Sequence, residues 1–316
     1  MTANPRAAGF IGKLPTRAEY LPVPSWAPGF AVFDEWLSSS IEWAAARAGS
    51  DWPPTFANGA VYGFVFQARS SAPDEVLCGA LAPSRDSAGR QFPLAVGAPL
   101  RLPPEVVSQV ELLPFVLETV WSESTRLVLD ALETGKPELA GDLRLEPAAD
   151  VEEAARLYAD WAAQLPLIEL WALLGPALAE PRASLRLLLE TLAPLRRVER
   201  PETTLSLRLP LGQASGLGLC FWLDLVRRCV GWRQTVPSLF WSHDGNNGAV
   251  MLHLGGAPKA TLAELWLPTG RREEIADLTL RPAQALVDML PALPGAVEAA
   301  LASGATSVAA FLQALG

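Results

Sequence analysis

The sequence has few of the residues that hold metal ions or form disulfides. Its 316 residues include three cysteines, Cys78, Cys220 and Cys229, and two histidines, His243 and His253. An odd and irregularly spaced set of cysteines does not suit a disulfide scaffold, so we expect a reducing compartment. Neither histidine has a cysteine or another histidine at ligand spacing. The sequence therefore predicts no metal site.

Long apolar runs are also missing. The longest, residues 165–179, is interrupted by Glu169, Gly175 and Pro176. It falls short of the roughly 18 apolar residues that suggest a membrane span. Residues 1–10 lack the apolar core of a signal peptide. We expect a cytoplasmic protein without membrane insertion.

Basic residues are too few for a typical nucleic-acid binder. The chain has 34 acidic and 25 basic residues, a formal charge of −9. Nucleic-acid-binding proteins usually show a basic excess or a basic stripe. The densest basic cluster, Arg196 and Arg197 with Arg200 nearby, is better explained as a solvated helix end than as a phosphate site. We expect no nucleic-acid partner.

The sequence contains none of the common catalytic or phosphate-binding motifs. A nucleophile elbow, a P-loop and a dinucleotide-binding glycine motif are all absent from it. Ser242, His243 and Asp244 are consecutive, so their side chains point in different directions and cannot form a relay by adjacency. Cys220 and Cys229 fall in an apolar helical segment, where cysteine acts as a small hydrophobe. These observations predict no catalytic residue and no cofactor.

What the sequence does have is a globular composition and a mixed periodicity in its first part. Half of the residues are hydrophobic, which indicates a folded chain. The first 135 residues predict a strand, a helix, three strands and a long helix bent at Pro114 and ended by Gly135. The segments are 9–14, 30–49, 61–67, 76–82, 92–98 and 105–133. This order predicts an α+β fold with a mostly antiparallel sheet flanked by helices, similar in order to longin or profilin units.

The remainder divides into a helical segment and a second mixed unit. Residues 136–150 are polar and suggest a linker, and three helical segments follow, at 151–164, 167–174 and 182–195. The last third predicts a strand at 203–209, a buried helix at 216–230, a hairpin that turns at 243–247 and a helical tail. We therefore predict an N-terminal domain at 1–135, a helical segment at 136–200 and a C-terminal region at 201–316. The order of the last unit loosely echoes the first.

Asp224 falls inside the apolar helix, and a buried carboxylate needs a partner. Arg227 or Arg228, one turn further along, can supply one. We expect this pair to be structural.

Two motifs carry a family resemblance. The first is Gly9-Phe10-Ile11-Gly12-Lys13-Leu14-Pro15-Thr16-Arg17-Ala18-Glu19-Tyr20, and the second is Pro83-Ser84-Arg85-Asp86-Ser87-Ala88-Gly89-Arg90-Gln91-Phe92-Pro93-Leu94. They resemble the two signatures of the TagF/ImpM family of type VI secretion-associated proteins. The second is complete at its signature positions. The first departs in its tail, where Thr16, Ala18, Glu19 and Tyr20 stand in place of Ser, Gly, Asp and Phe. Alanine at position 18 would be strained if that position needs a positive φ.

The resemblance supplies the candidate site residues. They are Gly12, Lys13, Leu14, Pro15, Arg17, Glu19, Ser84, Arg85, Asp86, Gly89, Arg90, Phe92 and Pro93, together with Trp241 from a weaker C-terminal pattern. We expect the charged members to form an ionic network that pins the two loops together. Such a network could be a structural clamp or a partner-binding edge, and Trp241 suits either a core or an interface.

The resemblance implies a regulatory role without catalysis. Members of the family are encoded with type VI secretion systems, and several restrain secretion after translation by acting on a cytoplasmic forkhead-associated scaffold protein. An assembly adaptor or chaperone of the same system is an alternative. A hydrolase, the third alternative, would require Arg85, Asp86, Arg90 and His243 to converge in one cleft. The sequence leaves the partner, the sign of the regulation and the oligomeric state open.

Overall fold

One eight-stranded sheet runs through the protein. The computed structural model describes residues 8–23, 28–137, 150–198, 201–242, 248–267 and 275–316. The strands in these ranges are β1 (Gly9–Gly12), β2 (Tyr62–Phe66), β3 (Glu75–Ala82), β4 (Leu94–Arg101), β5 (Leu205–Pro210), β6 (Ser238–Ser242), β7 (Ala249–Leu254) and β8 (Ile275–Asp277). Their spatial order is β1-β4-β3-β2-β6-β7-β5-β8. All neighbours are antiparallel except β5 and β8, so the predicted α+β class with a mostly antiparallel sheet is confirmed.

Helices cover both faces of the sheet. Those in the described ranges are α1 (Pro28–Ala48), α2 (Trp52–Ala57), α3 (Pro104–Ser108), α4 (Leu113–Thr134), α5 (Val151–Gln164), α6 (Leu167–Leu174), α7 (Pro181–Leu192), α8 (Ser215–Val230), α9 (Thr261–Trp266), α10 (Gln284–Met289), α11 (Gly295–Ala302) and α12 (Val308–Leu315). No helix among the described residues combines the length and the apolar character needed to cross a membrane.

Alternation along the central strands builds two separate cores. Phe64 and Phe66 of β2 point to the face that α1 and α9 cover, where they join Phe33 of α1. Val65 points to the opposite face, which α4 and α8 cover. Successive strand residues face opposite sides, so this split follows directly from the period of two. Burying each phenylalanine contributes about 1.5–3 kcal/mol.

The two halves of the sheet share one connectivity. In the first half, β1 is followed by α1 and then by the hairpin β3–β4, whose second strand pairs with β1. In the second half, β5 is followed by α8 and then by the hairpin β6–β7, whose second strand pairs with β5. The echo in element order is therefore also an echo in strand pairing. Strand β2 is additional to the first half and joins the halves by pairing with both β3 and β6.

One predicted helix is interrupted in the structure. The expected helix at 105–133 is divided into α3, a 3₁₀ turn at Val110–Leu112 and α4. Proline has no N–H to donate, and its ring clashes with the carbonyl four residues before it. Pro114 therefore stands in the first turn of a new helix and does not bend a continuous one. The predicted end at Gly135 is confirmed, since Gly135 caps α4 with a φ of 71°.

Three short elements were not predicted. The first is α2, where Pro53 and Pro54 lie in the first turn, a position at which prolines are tolerated. The second is α9, which ends at the buried Trp266. Strand β8 has three residues and pairs in parallel with β5, a partner that local pattern cannot indicate.

The predicted partners of Asp224 are confirmed and extended. Both arginines bind this carboxylate at 2.7 Å, Arg227 through Nη2 and Arg228 through Nε. Arg227 also makes a bidentate pair at 2.7 Å with Glu111, which precedes α4. The Tyr158 hydroxyl of α5 donates to Asp224 at 3.2 Å. We call these five side chains the Asp224 cluster, and it ties together parts of all three sequence segments.

Candidate functional site

Strand pairing brings the two motif loops to the same edge of the sheet. The first loop, residues 13–20, follows β1, and the second, residues 83–93, connects β3 to β4. Since β1 and β4 pair with Gly12 opposite Leu94, the end of one loop lies beside the end of the other. The sequence separation of more than seventy residues is therefore closed by the register of one pair of strands.

Asp86 is the centre of the contact between the loops. Its side chain is fully buried, and its Oδ2 accepts hydrogen bonds from Lys13 Nζ at 3.0 Å and Arg90 Nε at 2.6 Å. Its Oδ1 accepts from the backbone N–H groups of Ala88 at 3.0 Å and Arg90 at 2.9 Å. We call Lys13, Asp86 and Arg90 the ionic knot. The expected ionic contact between the two loops is confirmed for these three residues.

The knot keeps Asp86 ionised. Burial alone would raise the pKa of this carboxyl, because the charged form loses its water. Hydrogen bonds from the backbone of Arg90 and from the side chains of Lys13 and Arg90 outweigh burial and hold the pKa of Asp86 well below its usual range. Charge-assisted hydrogen bonds of this kind are stronger than neutral ones.

Hydrogen bonds to backbone carbonyl oxygens add to the ion pairs. They run from the Ser84 hydroxyl to Lys13 at 2.7 Å, from the Ser87 N–H to Arg17 at 2.9 Å and from the Arg90 guanidinium to Ala18 at 3.0 Å. Each joins the second loop to the first. The two loops are therefore held by backbone as well as side-chain contacts, which fixes their relative position.

Gly12 is required by the close approach of the loops. Its φ is 112°, and a Cβ added there would lie 1.9 Å from the carbonyl oxygen of Pro93. A side chain at this position would collide with backbone that cannot move independently of β4. Leu14, two residues on, is fully buried and anchors the first loop from below, and Pro93 is buried as well.

The departures from the family motif are tolerated. Ala18 is absent from the residues with positive φ in the described chain, so alanine is not strained where the family has glycine. Tyr20 stands where the family has phenylalanine, and its ring packs edge-on against Phe92 at 5.2 Å. Its hydroxyl donates to Asp34 of α1, and burial raises the pKa of Tyr20.

Three charged members of the motifs point outward. Arg17, Glu19 and Arg85 are exposed, and their side chains make no hydrogen bond or ion pair with the described part of the chain. Arg85 lines a shallow cavity of about 390 Å³ with Pro15, Gly89 and apolar neighbours. We call the surface formed by Pro15, Arg17, Glu19, Arg85, Gly89 and Arg90 the motif face. Lys13 and Asp86 neutralise each other, so the three arginines outnumber Glu19 and the face is positive on an acidic protein.

Trp241 does not join this face. It lies on β6 opposite Gly63, and its ring packs edge-on against Trp121 of α4 at 5.2 Å. It lines a different cavity, on the side of the sheet that α4 covers. The structure therefore separates Trp241 from the thirteen other candidates.

His253 lies in a buried row of three uncharged, hydrogen-bonded side chains, Ser206, His253 and Thr261, which we call the neutral chain. Sequence patterns did not reveal it. Thr261 Oγ1 donates to the Pro258 carbonyl at 2.6 Å, so its oxygen accepts from His253 Nε2 at 3.1 Å. The unprotonated Nδ1 then accepts from Ser206 Oγ at 2.9 Å. Burial lowers the pKa of His253 to about 3. A fully buried imidazole this hard to protonate is a poor base at neutral pH, and the adjacent cavity of about 120 Å³ has room for only a few water molecules.

The other histidine of the hydrolase alternative, His243, lies outside the described residues, as does the predicted hairpin turn at 243–247. The linker residues 138–149 also lie outside them.

Comparisons with known proteins agree with the two motifs. Residues 9–145 match the model of the TagF N-terminal domain, described as type VI secretion system-associated. The crystal structure of PA0076 from Pseudomonas aeruginosa PAO1 is similar at 18% sequence identity and a TM-score of 0.43, covering 91% of this chain and 100% of that chain. A likeness at this level carries no argument about function. A search of curated proteins finds no match. Residues 9–145, which include both loops of the ionic knot, are therefore similar to the N-terminal domain of TagF, a type VI secretion system-associated protein.

Proposed function

We propose that this accessory protein regulates a type VI secretion system after translation, without catalysis, by binding a cytoplasmic component through the motif face. A forkhead-associated scaffold is the proposed component, and repression is the proposed effect. The proposal depends on one observation: some charged side chains of the motifs pair with one another, and others stay exposed. Asp86 takes the charges of Lys13 and Arg90 into the knot, while Arg17 and Arg85 point outward without a partner in the described chain.

Exposed arginines on loops that the knot holds in place are suited to binding a protein. Arginine is enriched at interfaces and among the residues that contribute most to affinity. A loop already fixed by the knot loses little conformational freedom on binding, so more of the interaction energy appears as affinity. The positive motif face favours an acidic surface on the partner.

Two features of the same geometry support a role without catalysis. Ser84 is a buried motif hydroxyl beside the knot, and it already donates to the Lys13 carbonyl. A nucleophilic serine needs a base that accepts its proton, and a backbone carbonyl cannot do this. Asp86 accepts four hydrogen bonds and is held ionised, so it is a poor proton donor.

A binding measurement with a charge-reversal pair tests the proposal. The full chain and the variant Arg17→Glu/Arg85→Glu are titrated against the purified scaffold. We expect the affinity to fall by roughly tenfold or more, because both groups would then repel an acidic partner. The matched control is Arg126→Glu/Arg156→Glu, which reverses two exposed arginines on α4 and α5 that belong to i,i+3 and i,i+4 pairs. Equal affinity for both variants and the original chain contradicts a role for the motif face.

Secretion in cells decides the sign. If the protein represses, deleting the gene raises secretion through the system, and the Arg17→Glu/Arg85→Glu variant fails to restore repression while the control variant restores it. Reduced secretion after deletion supports the adaptor alternative and refutes repression.

A further inference from the structure

A second candidate binding surface lies on the face of the sheet that α4 and α8 cover, between α4 and the start of α8. It is a cleft of about 720 Å³ with mostly apolar walls. This volume is typical of sites that bind other molecules. None of its lining residues belongs to the motif face, so an inference about it goes beyond the proposed function.

One wall of the cleft is a continuous face of α4. Phe115, Glu118, Ser122 and Thr125 line it at spacings of three and four residues, which places them on one side of the helix. From Pro114 to Thr125 this wall is about 16 Å long, or three helical turns. Glu118 and Ser122 are exposed on this side of α4, and Phe115 and Thr125 are half-buried.

The opposite wall and the floor are rigid. The start of α8 forms the wall, with Leu217 facing the cleft and Gly216 at its rim, where an added Cβ would meet no atom within 4 Å. Trp121 and Trp241 contact each other at the floor. The Trp121 indole N–H donates to the Phe64 carbonyl at 3.1 Å, which fixes the ring. The cleft is therefore shaped before anything binds.

Charge on the walls is limited to one side chain. Glu118 is the only Asp, Glu, Lys or Arg among the described residues that line the cleft, and it is exposed without an ion pair in the described chain. An occupant without a positive group would bury this carboxylate unpaired, which is costly. An occupant with a negative group would meet direct repulsion. The walls therefore favour an apolar body that carries a cation.

We propose that the cleft binds a short amphipathic helix of a protein partner, with a lysine or arginine placed against Glu118. A trough three turns long, bounded by two helices and open along one side, fits the apolar stripe of a third helix. The apolar side chains of that stripe would contact Phe115, Leu217 and the two floor tryptophans. The ion pair with Glu118 would set the orientation of the bound helix.

The probes are two synthetic helical peptides of about three turns. Both carry leucine at three- and four-residue spacing, with lysine at the polar positions of one and glutamate at those of the other. Each is titrated against the full chain by fluorescence anisotropy. We expect the lysine peptide to bind roughly tenfold or more tightly than the glutamate peptide. No binding of the lysine peptide, or equal binding of the two, overturns the proposal.

Three variants locate the binding. Glu118→Gln should remove most of the preference for lysine, and Gly216→Trp should fill the rim and abolish binding. The matched control is Leu129→Glu, which changes a residue on α4 that is 48% exposed and lies outside the cleft. Circular dichroism checks that each variant is folded. A lysine peptide that binds Gly216→Trp as well as the original chain overturns the proposal.

Two other occupants have distinct outcomes. Tighter peptide binding after residues 138–149 are replaced by a Gly-Ser linker would show that the chain competes for its own cleft. Dimerisation that Gly216→Trp removes would show that a second copy fills it. Either result overturns the assignment to a separate partner, and unchanged peptide affinity with a monomeric chain supports it.

Discussion

The two halves of the sheet share a strand order but bury their polar groups in different ways. The first half ends in the ionic knot, where Asp86 is buried between two cations that remain partly exposed. The second half holds His253 as a neutral group between two hydroxyls, inside the sheet and away from solvent. The ionic knot lies at a surface where charged side chains remain exposed, and the neutral chain exposes no charged group. A charged network at the end of a sheet can therefore serve binding as well as stability, and a neutral one inside the sheet serves stability alone.

The largest expected effect is a loss of stability at the Asp224 cluster, where charged side chains join the second half of the sheet to the rest of the chain. Arg227→Met leaves Glu111 and Asp224 buried with one arginine fewer, and losing one partner of a buried pair costs about 3–5 kcal/mol. Chemical denaturation measures the free energy of unfolding. The control is Arg228→Met, since Arg228 is more exposed and its ion pair in the described chain is with Asp224 alone. Equal losses in the two variants would contradict the central position of Arg227.

The next effect concerns the ionic knot. Asp86→Asn removes the charge that Lys13 and Arg90 share, but both cations can turn towards water, so we expect a smaller loss. The Tm should fall by roughly 3–8 °C, and proteolysis between residues 13 and 20 should become faster. Scanning calorimetry and limited proteolysis measure these changes. An unchanged Tm would mean that the backbone hydrogen bonds alone hold the loops.

Acid should affect the halves in different pH ranges. The pKa of His253 is about 3 in the folded state and about 6.5 in an unfolded chain. Between these values the unfolded chain binds a proton that the folded chain does not, so stability falls as the pH falls, by up to about 1.4 kcal/mol per pH unit. The pKa of Asp86 is also lowered by folding, so its contribution is complete above about pH 4 and is lost below it.

Denaturation curves from pH 7 to pH 3 test this difference. His253→Gln should flatten the dependence between about pH 6.5 and pH 4, and Asp86→Asn should change only the lower part. A slope above pH 4 that survives His253→Gln would contradict the role of the buried imidazole.

The smallest expected effect separates binding from stability at the motif face. Arg17→Gln and Arg85→Gln remove side chains that make no bond to the described chain, so the free energy of unfolding should change by less than about 0.5 kcal/mol. A larger loss, measured by urea denaturation, would show that these arginines stabilise the fold.

Much of the fold could be predicted from the sequence because most of its strands and helices have a clear period. The paired strands β3 and β4 and the buried helix α8 follow from local pattern. Pro114 marked an irregularity in the predicted helix, but the pattern did not show that a new helix begins there. The pairing of β8 with β5 depends on how distant segments pack, so the pattern gave no signal for it.

The candidate site was predictable in composition but not in geometry. The motifs identified the charged residues, but only the pairing of β1 with β4 brings Lys13 to Asp86 across 73 positions, while Arg17 of the same loop stays exposed. The same limit applies to Glu111, which meets Arg227 across 116 positions. Glu111 lies just before α4, and nothing in the neighbouring sequence indicated that Arg227 would be its partner.

Strand β2 is hydrogen-bonded on both sides, to β3 and to β6, so neither half can rotate without breaking its ladder. The continuous sheet therefore fixes the distance between the motif face and the α4–α8 cleft. A partner with two suitable segments could engage both at once only if its own spacing matches, and the second contact would then form at high effective concentration. Distance between segments, in addition to their chemistry, would then select the partner.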